Sequence, residues 1–437
     1  MMRISFPILA ICAVAVLAGC ETAAPGAPTD LVLAETPRAG EAAGSFDVIL
    51  AEPAVVVVAD AGFAAPVAVG AGTGRVRAGV LTAGDIDDAL NLGEFMAYLG
   101  GAGRATGLPS ANFAAPALAQ IVGPDGLPAA GQRVTLRLPG AGTAFYDGFS
   151  GVNGMVTVFP ALYGAGRSGP FELRVFPEGA SAPVVQSLSA GARQVVQLPV
   201  GGTMDPDFLD LVFVVDTTGS MADELEWLSR DLNGIVSAAR WGFGGVDIRY
   251  GLIVYRDLGD DYTVRSYPFT NSAATMRAQL RAQRADGGGD YPEAAAAALN
   301  AAMAMDWRRG RGERLVFHIA DAPPHDADAR AYLGAVQTAA QRDVQIFGLG
   351  ASGVAAESEY LMRQAAAATG GRYLFLTDDS GVGLTHAEPT ISCYQVTLLS
   401  DLMVRVLRSE LSGQRIEPAP ADVIRAVGTY QNGVCRN

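Results

Sequence analysis

Leu209-Asp210-Leu211-Val212-Phe213-Val214-Val215-Asp216-Thr217-Thr218-Gly219-Ser220-Met221 is the stretch on which the reading of this chain turns. Residues 211–215 are apolar without alternation, the pattern of a strand buried on both faces of a parallel sheet. Such a strand requires helices on both sides, and ligands of open α/β sheets gather outside its carboxyl end. At that end stand Asp216, Thr218 and Ser220, three oxygen donors at alternate positions that suit a hard divalent cation. A capped strand-to-helix turn without metal would use the same residue types, but Asp223 already lies nearer the start of the next helix.

Downstream, strands and helices alternate. Residues 222–241 form an amphipathic helix with Leu225, Leu228, Leu232, Ile235, Val236 and Ala239 on one face. Strands are expected over 246–255, 264–269, 314–320, 344–350 and 372–376, helices over 272–283, 294–305, 329–342 and 355–369, and a last amphipathic helix over 394–411. The fold class is therefore α/β, a doubly wound, mostly parallel sheet over residues 205–413. Two more loops fall at the same sheet edge: Gly287-Gly288-Gly289-Asp290-Tyr291-Pro292-Glu293 before a helix, and Ile319-Ala320-Asp321-Ala322-Pro323-Pro324-His325 after a buried strand.

Upstream, residues 111–201 are punctuated by turns such as Gly123-Pro124-Asp125-Gly126 and Asn153-Gly154 between short alternating runs, as in 133–138 and 155–160. A small all-β, sandwich-like spacer domain is expected there, similar to carboxypeptidase-regulatory-like or bacterial immunoglobulin-like modules. Residues 45–110 are a mixed segment in which Asp85, Asp87 and Asp88 lack EF-hand spacing and read as the acidic start of a helix over 89–99. Residues 414–437 form a C-terminal tail.

With these three loops in view, residues 205–413 resemble a von Willebrand factor A domain, and Asp216-Thr217-Thr218-Gly219-Ser220 matches its Asp-x-Ser/Thr-x-Ser metal-ion-dependent adhesion motif. The resemblance implies Mg²⁺, or Ca²⁺ or Mn²⁺ in its place, held by Asp216, Thr218, Ser220, Asp321 and Asp290, with Glu293 and His325 as candidates for the layer behind them. An open coordination position would then accept an acidic side chain from a protein partner. Members of the family best known for adhesion place a Thr in the second loop, where this chain offers Asp290 and Glu293; a carboxylate there makes the ion less electrophilic. The function implied is non-enzymatic binding. Two alternatives stay open: a metal-assisted hydrolase using the same ion with His325 beside it, and an envelope scaffold whose metal is only structural.

The first nineteen residues read as a targeting segment, with Arg3 before an apolar run over 4–16 that is too short to span a bilayer. Leu17-Ala18-Gly19-Cys20 resembles a bacterial lipobox, which implies a lipidated Cys20 and a membrane contact through that anchor. Glu21 in place of Asp points to the outer membrane, facing the periplasm or the exterior. Residues 20–44 are rich in Ala, Pro and Gly and read as a flexible tether. Of the four cysteines, Cys12 leaves with the signal and Cys20 takes lipid, so Cys393 and Cys435 are expected to pair; the alternative is two inert buried thiols. A bridge of that span contributes roughly 3 to 4 kcal/mol.

At 437 residues and 50% hydrophobic composition, the chain buries sizeable cores, which excludes a disordered protein. A net charge of -14 without any basic run excludes a nucleic-acid partner. All 31 basic residues are Arg, a compositional bias without functional content.

Overall fold

The computed structural model describes residues 29–31, 68–71, 80–166, 168–203, 205–240, 243–289, 291–380 and 387–436. Cys20, the targeting segment and most of the tether lie outside them. In chain order the strands are β1 Thr29–Leu31, β2 Ala68–Ala71, β3 Thr82–Ile86, β4 Ala117–Val122, β5 Arg133–Arg137, β6 Tyr146–Phe149, β7 Met155–Val158, β8 Phe171–Phe176, β9 Val184–Leu188, β10 Arg193–Gln197, β11 Phe208–Asp216, β12 Asp247–Tyr255, β13 Val264–Thr270, β14 Gly312–Ala320, β15 Gln345–Gly350, β16 Tyr373–Thr377, β17 Tyr394–Leu398 and β18 Arg425–Val427. The α-helices are α1 Leu92–Thr106, α2 Ala222–Arg240, α3 Ala273–Arg281, α4 Ala295–Met303, α5 Ala329–Gln341, α6 Ala356–Thr369 and α7 Leu399–Ser412.

The main sheet runs β1-β13-β12-β11-β14-β15-β16-β3-β17-β18-β2, with β11 in its interior and parallel to both β12 and β14. Every residue of β11 is buried, as its unbroken apolar run requires. Its one charged side chain before the carboxyl end, Asp210, is neutralised by Arg249 and Arg308 at 2.7 Å each. Helices cover both faces: α4, α5 and α6 pack on one through Leu299, Tyr332 and Leu361, and α2 and α7 on the other through Leu228, Leu232 and Leu402. This is the doubly wound α/β architecture expected from the alternating pattern.

Two elements differ from that expectation. The single helix anticipated over 394–411 is a strand followed by a helix. Tyr394-Gln395-Val396-Thr397-Leu398 alternates with period two and pairs with β18 and β3, so the 3.6-residue pattern begins only at Leu399. The strand between β16 and β17 comes from far upstream: β3 lies antiparallel to both. The acids behind it are not a helix's first turn, because α1 starts at Leu92. Asp88 instead forms a buried ion pair with Arg363 at 2.7 Å, and Asp85 lies 3.1 Å from Arg415 and 3.6 Å from Arg372. The opposing guanidinium groups hold the buried Asp85 carboxyl below its ordinary value against the desolvation that pushes it up.

The upstream β-rich region is a sandwich of two sheets, β10-β4-β7 and β6-β5-β8-β9, around Ile121, Val134, Leu173 and Val196. It meets the main domain at the start of β14, where the Val152 N–H donates to Glu313 Oε1 (3.1 Å). The site described below lies at the other end of β14, about 25 Å away at the rise of a strand. Cys393 and Cys435 are joined, stapling the tail to the strand edge it covers. Among the described residues no helix is long and apolar enough to cross a membrane.

Candidate metal centre

The carboxyl end of β11 turns at Asp216 into a short 3₁₀ turn, Gly219–Met221, that leads into α2. Asp216 is fully buried, and its Oδ1 accepts from the Thr218 N–H (2.9 Å) and the Thr218 hydroxyl (2.7 Å). That fold-back orients the loop and leaves Asp216 Oδ2 buried with no hydrogen-bond partner. Thr218 Oγ1 and Ser220 Oγ stand 3.4 Å apart, and the Ser220 hydroxyl donates to the Asp321 carboxylate. Thr217 points the other way and pins the loop to β12, its hydroxyl donating to the Tyr255 carbonyl at 2.8 Å.

Asp321 arrives from the end of β14. Its carbonyl accepts from the Ala355 N–H and the Ser358 hydroxyl of the α6 start (2.9 and 3.0 Å), and its Oδ1 is buried without a partner. Glu293 is the third carboxylate. Its N–H donates to the Pro323 carbonyl at 2.9 Å, which draws the loop before α4 against the Asp321 loop, and its Oε2 is also buried without a partner. Gly287 and Gly288 have φ of 80° and 74°, and a Cβ on Gly288 would stand 2.7 Å from Glu293 Oε1 and 3.0 Å from Thr218 Cβ. Only glycine lets that backbone lie so close to both side chains.

Burial and like charge set the electrostatics. Desolvation raises the Asp216 carboxyl to about 7 against the hydrogen bonds from Thr218, and the Asp321 and Asp257 charges push the same way. Glu293 is raised to about 9 by desolvation, then by Asp216, Asp257, Asp260 and Asp321. Desolvation raises Asp321 as well. Buried carboxylates that destabilise one another while keeping free lone pairs are a donor set for a cation. Among the described residues no three His, Cys, Asp or Glu side chains form a cage by themselves. A cation here would therefore draw on the Thr218 and Ser220 hydroxyls and on water as well as on carboxylates, as Mg²⁺ tolerates. The residues present fit such an ion.

Asp290 lies outside the described residues. His325 engages a different carboxylate, its Nε2 bonded to Asp257 Oδ1 at 2.6 Å. Asp257 and Asp260, in the turn after β12, were not singled out by sequence. Asp260 Oδ2 accepts from the N–H groups of Asp257 (3.1 Å) and Gly288 (3.0 Å), tying that turn to the glycine loop. The signal was available: both acids follow a buried strand at the same sheet edge.

Beneath the site His318 is buried in β14 between two phenols, Tyr255 at 3.1 Å and Tyr332 at 3.2 Å. Burial lowers its pKa from 6.5 to about 4. The unfolded chain takes up a proton below pH 6.5 while the folded chain does not, so stability falls as pH drops through this window. By pH 4.5 the wild type is expected to lose roughly 2 to 3 kcal/mol more than His318→Gln does, measured by urea unfolding across pH 7 to 4.5. Parallel pH curves for the two proteins would contradict this.

Residues 210–381 match the family described as von Willebrand factor A domain. Alpha-protein kinase vwkA of Dictyostelium discoideum is 32% identical over 121 residues, 28% of this chain and 19% of that protein. An ariadne-like RING finger protein of Acanthamoeba polyphaga mimivirus is 35% identical over 117 residues, 27% of this chain and 11% of that one. The chain thus spans less than a fifth of either relative's length. The crystal structure of the conserved hypothetical protein BatB from Bacteroides thetaiotaomicron is similar at 17% identity and a TM-score of 0.30, covering 38% of this chain and 89% of that one.

Proposed function

Since this chain carries a von Willebrand factor A domain over residues 210–381, a module that generally mediates protein–protein interaction, we propose that it binds a partner protein through a divalent cation at the β11 edge. The observation that carries the reading is the set of three buried carboxylate oxygens without partners, Asp216 Oδ2, Asp321 Oδ1 and Glu293 Oε2, on three loops at one sheet edge. Asp216, Thr218, Ser220 and Asp321 would hold Mg²⁺, or Ca²⁺ or Mn²⁺, with Glu293 as the ligand from the glycine loop and Asp290 as its competitor for that role. The bound ion would supply a Lewis-acidic position for an Asp or Glu of the partner. His325 serves here to fix Asp257, and its engagement there favours binding over hydrolysis.

Titration of the full chain with each of the three cations, followed by thermal unfolding and equilibrium dialysis, tests this. An EDTA-reversible rise in melting temperature with one ion per chain is expected; no response to any of the three would sink the reading.

We also propose that Cys20 carries the lipid and that the chain sits in a bacterial cell envelope at the outer membrane. Support comes from Leu17-Ala18-Gly19-Cys20 and from the Cys393–Cys435 bridge, which suits an oxidising compartment. Mass spectrometry of the mature N-terminus decides it, an unmodified Cys20 being the contrary result.

A further inference from the structure

Large apolar side chains at half exposure or more are few among the described residues, and two of them stand on the loops of this site: Leu258 and Tyr291, each 52% exposed. Neither is a loose loop residue. Leu258 sits at the tip of the turn Asp257-Leu258-Gly259-Asp260, which the Asp260 carboxylate closes by accepting the Asp257 N–H and which Gly259 rounds at a φ of 91°. The same carboxylate accepts the Gly288 N–H, so the turn is fixed to the glycine loop. Tyr291, two residues before Glu293, reaches across to donate its hydroxyl to the Gly353 carbonyl at 3.3 Å. An apolar residue on a rigid turn loses little entropy on being covered, which is the property of a binding anchor.

Their placement gives a partner pattern. The turn bearing Leu258 follows β12, and the loop bearing Gly353 follows β15; β11 and β14, which carry Asp216 and Asp321, lie between those two strands. Three inter-strand steps span about 14 Å, which an extended segment covers in about four residues. We propose that Leu258 and Tyr291 are the apolar anchors of the partner interface, and that the partner offers an extended segment whose acidic residue meets the ion with a large apolar residue about two positions to either side. The inference rests on the cation-dependent reading above, because the acidic residue of the segment is complementary only to a bound cation at an edge otherwise lined by carboxylates.

The test uses a displayed random-peptide library panned on the immobilised full chain in Mg²⁺ and eluted with EDTA. Enriched peptides are expected to carry Asp or Glu with Leu, Phe, Trp or Met about two residues away. A representative peptide should bind Leu258→Ser and Tyr291→Ser at least about tenfold more weakly than wild type. Tyr291→Phe, which keeps the ring but frees it from the Gly353 carbonyl, should bind more tightly than Tyr291→Ser, and all three variants should keep the Mg²⁺-induced rise in melting temperature. Peptides with an acid and no apolar neighbour, unchanged affinity in both serine variants, or an Mg²⁺ response with no EDTA-elutable peptide would each overturn the anchors while leaving the cation reading in place. Absence of both the Mg²⁺ response and any such peptide in the wild type would overturn the two together.

Discussion

Asp216→Asn is expected to abolish cation binding while leaving the metal-free protein as stable as the wild type or more so. The asparagine keeps an Oδ1 that can accept from the Thr218 N–H and hydroxyl, so the local fold-back is preserved. What it removes is a fully buried charge that the neighbouring Asp321 and Asp257 charges destabilise further. In EDTA that removal relieves repulsion. In a saturating cation the balance inverts, since an ion at a hundred times its dissociation constant stabilises the wild type by about 2.7 kcal/mol and the variant by none. The affinity loss should exceed a hundredfold, read by dialysis, with melting curves in EDTA and in Mg²⁺ showing the two opposite trends. A variant that keeps the cation response would remove Asp216 from the ligand set. A wild type whose partner capture survives in the variant would instead point to a metal with a purely structural part.

The central sheet was legible because burial on both faces writes itself into a continuous apolar run, as in Val212 to Val215, and because the intervening helices repeat every three to four residues. The carboxyl-edge rule then located Asp216, Thr218, Ser220 and Asp321 on neighbouring loops, and the structure brings these four together with Glu293. What escaped was long-range pairing. Thr82 donates to the carbonyl of Thr377, 295 residues away, and nothing local to Thr82 announces that it fills the gap between β16 and β17. The strand Tyr394–Leu398 was absorbed into the helix behind it because five alternating residues next to a strong amphipathic pattern are outvoted by it. Asp257 and Asp260 escaped for a different reason. Asp257-Leu258-Gly259-Asp260 has no ligand-motif spacing, and only its place directly after the buried strand β12 marks its acids as neighbours of the site.

The segment that fills that gap should be as necessary to the domain as any of its own helices, and Arg363 is where this can be measured. Arg363 is 2% exposed and makes two parallel bonds to Asp88, from Nε at 2.9 Å and Nη2 at 2.7 Å, while its Nη1 donates to Glu359 Oε1 at 3.0 Å and to the Thr390 carbonyl at 3.1 Å. The Tyr98 ring of α1 stacks on the guanidinium at 3.7 Å. One side chain of α6 thereby binds the segment before α1, α1 itself and the loop before β17. Arg363→Met retains much of the packing volume but leaves Asp88 and Glu359 buried without a counter-charge, a loss expected to cost about 3 to 5 kcal/mol. Asp88→Leu should cost less, about 1 to 3 kcal/mol, because the guanidinium loses its bidentate partner but keeps Glu359 and the Thr390 carbonyl. The double variant Asp88→Leu/Arg363→Met should lose clearly less than the sum, because no uncompensated guanidinium remains and only Glu359 can still be left charged. Urea unfolding of the four proteins gives the cycle, and limited proteolysis should show cleavage between β3 and α1 in the single variants before the sheet itself is cut. Strict additivity, with each single change below about 1 kcal/mol, would mean that the upstream segment rests on the domain without stabilising it. The same helix holds the Asp321 carbonyl through Ala355 and Ser358, so a segment that loosens α6 also loosens the β14 loop of the candidate metal centre.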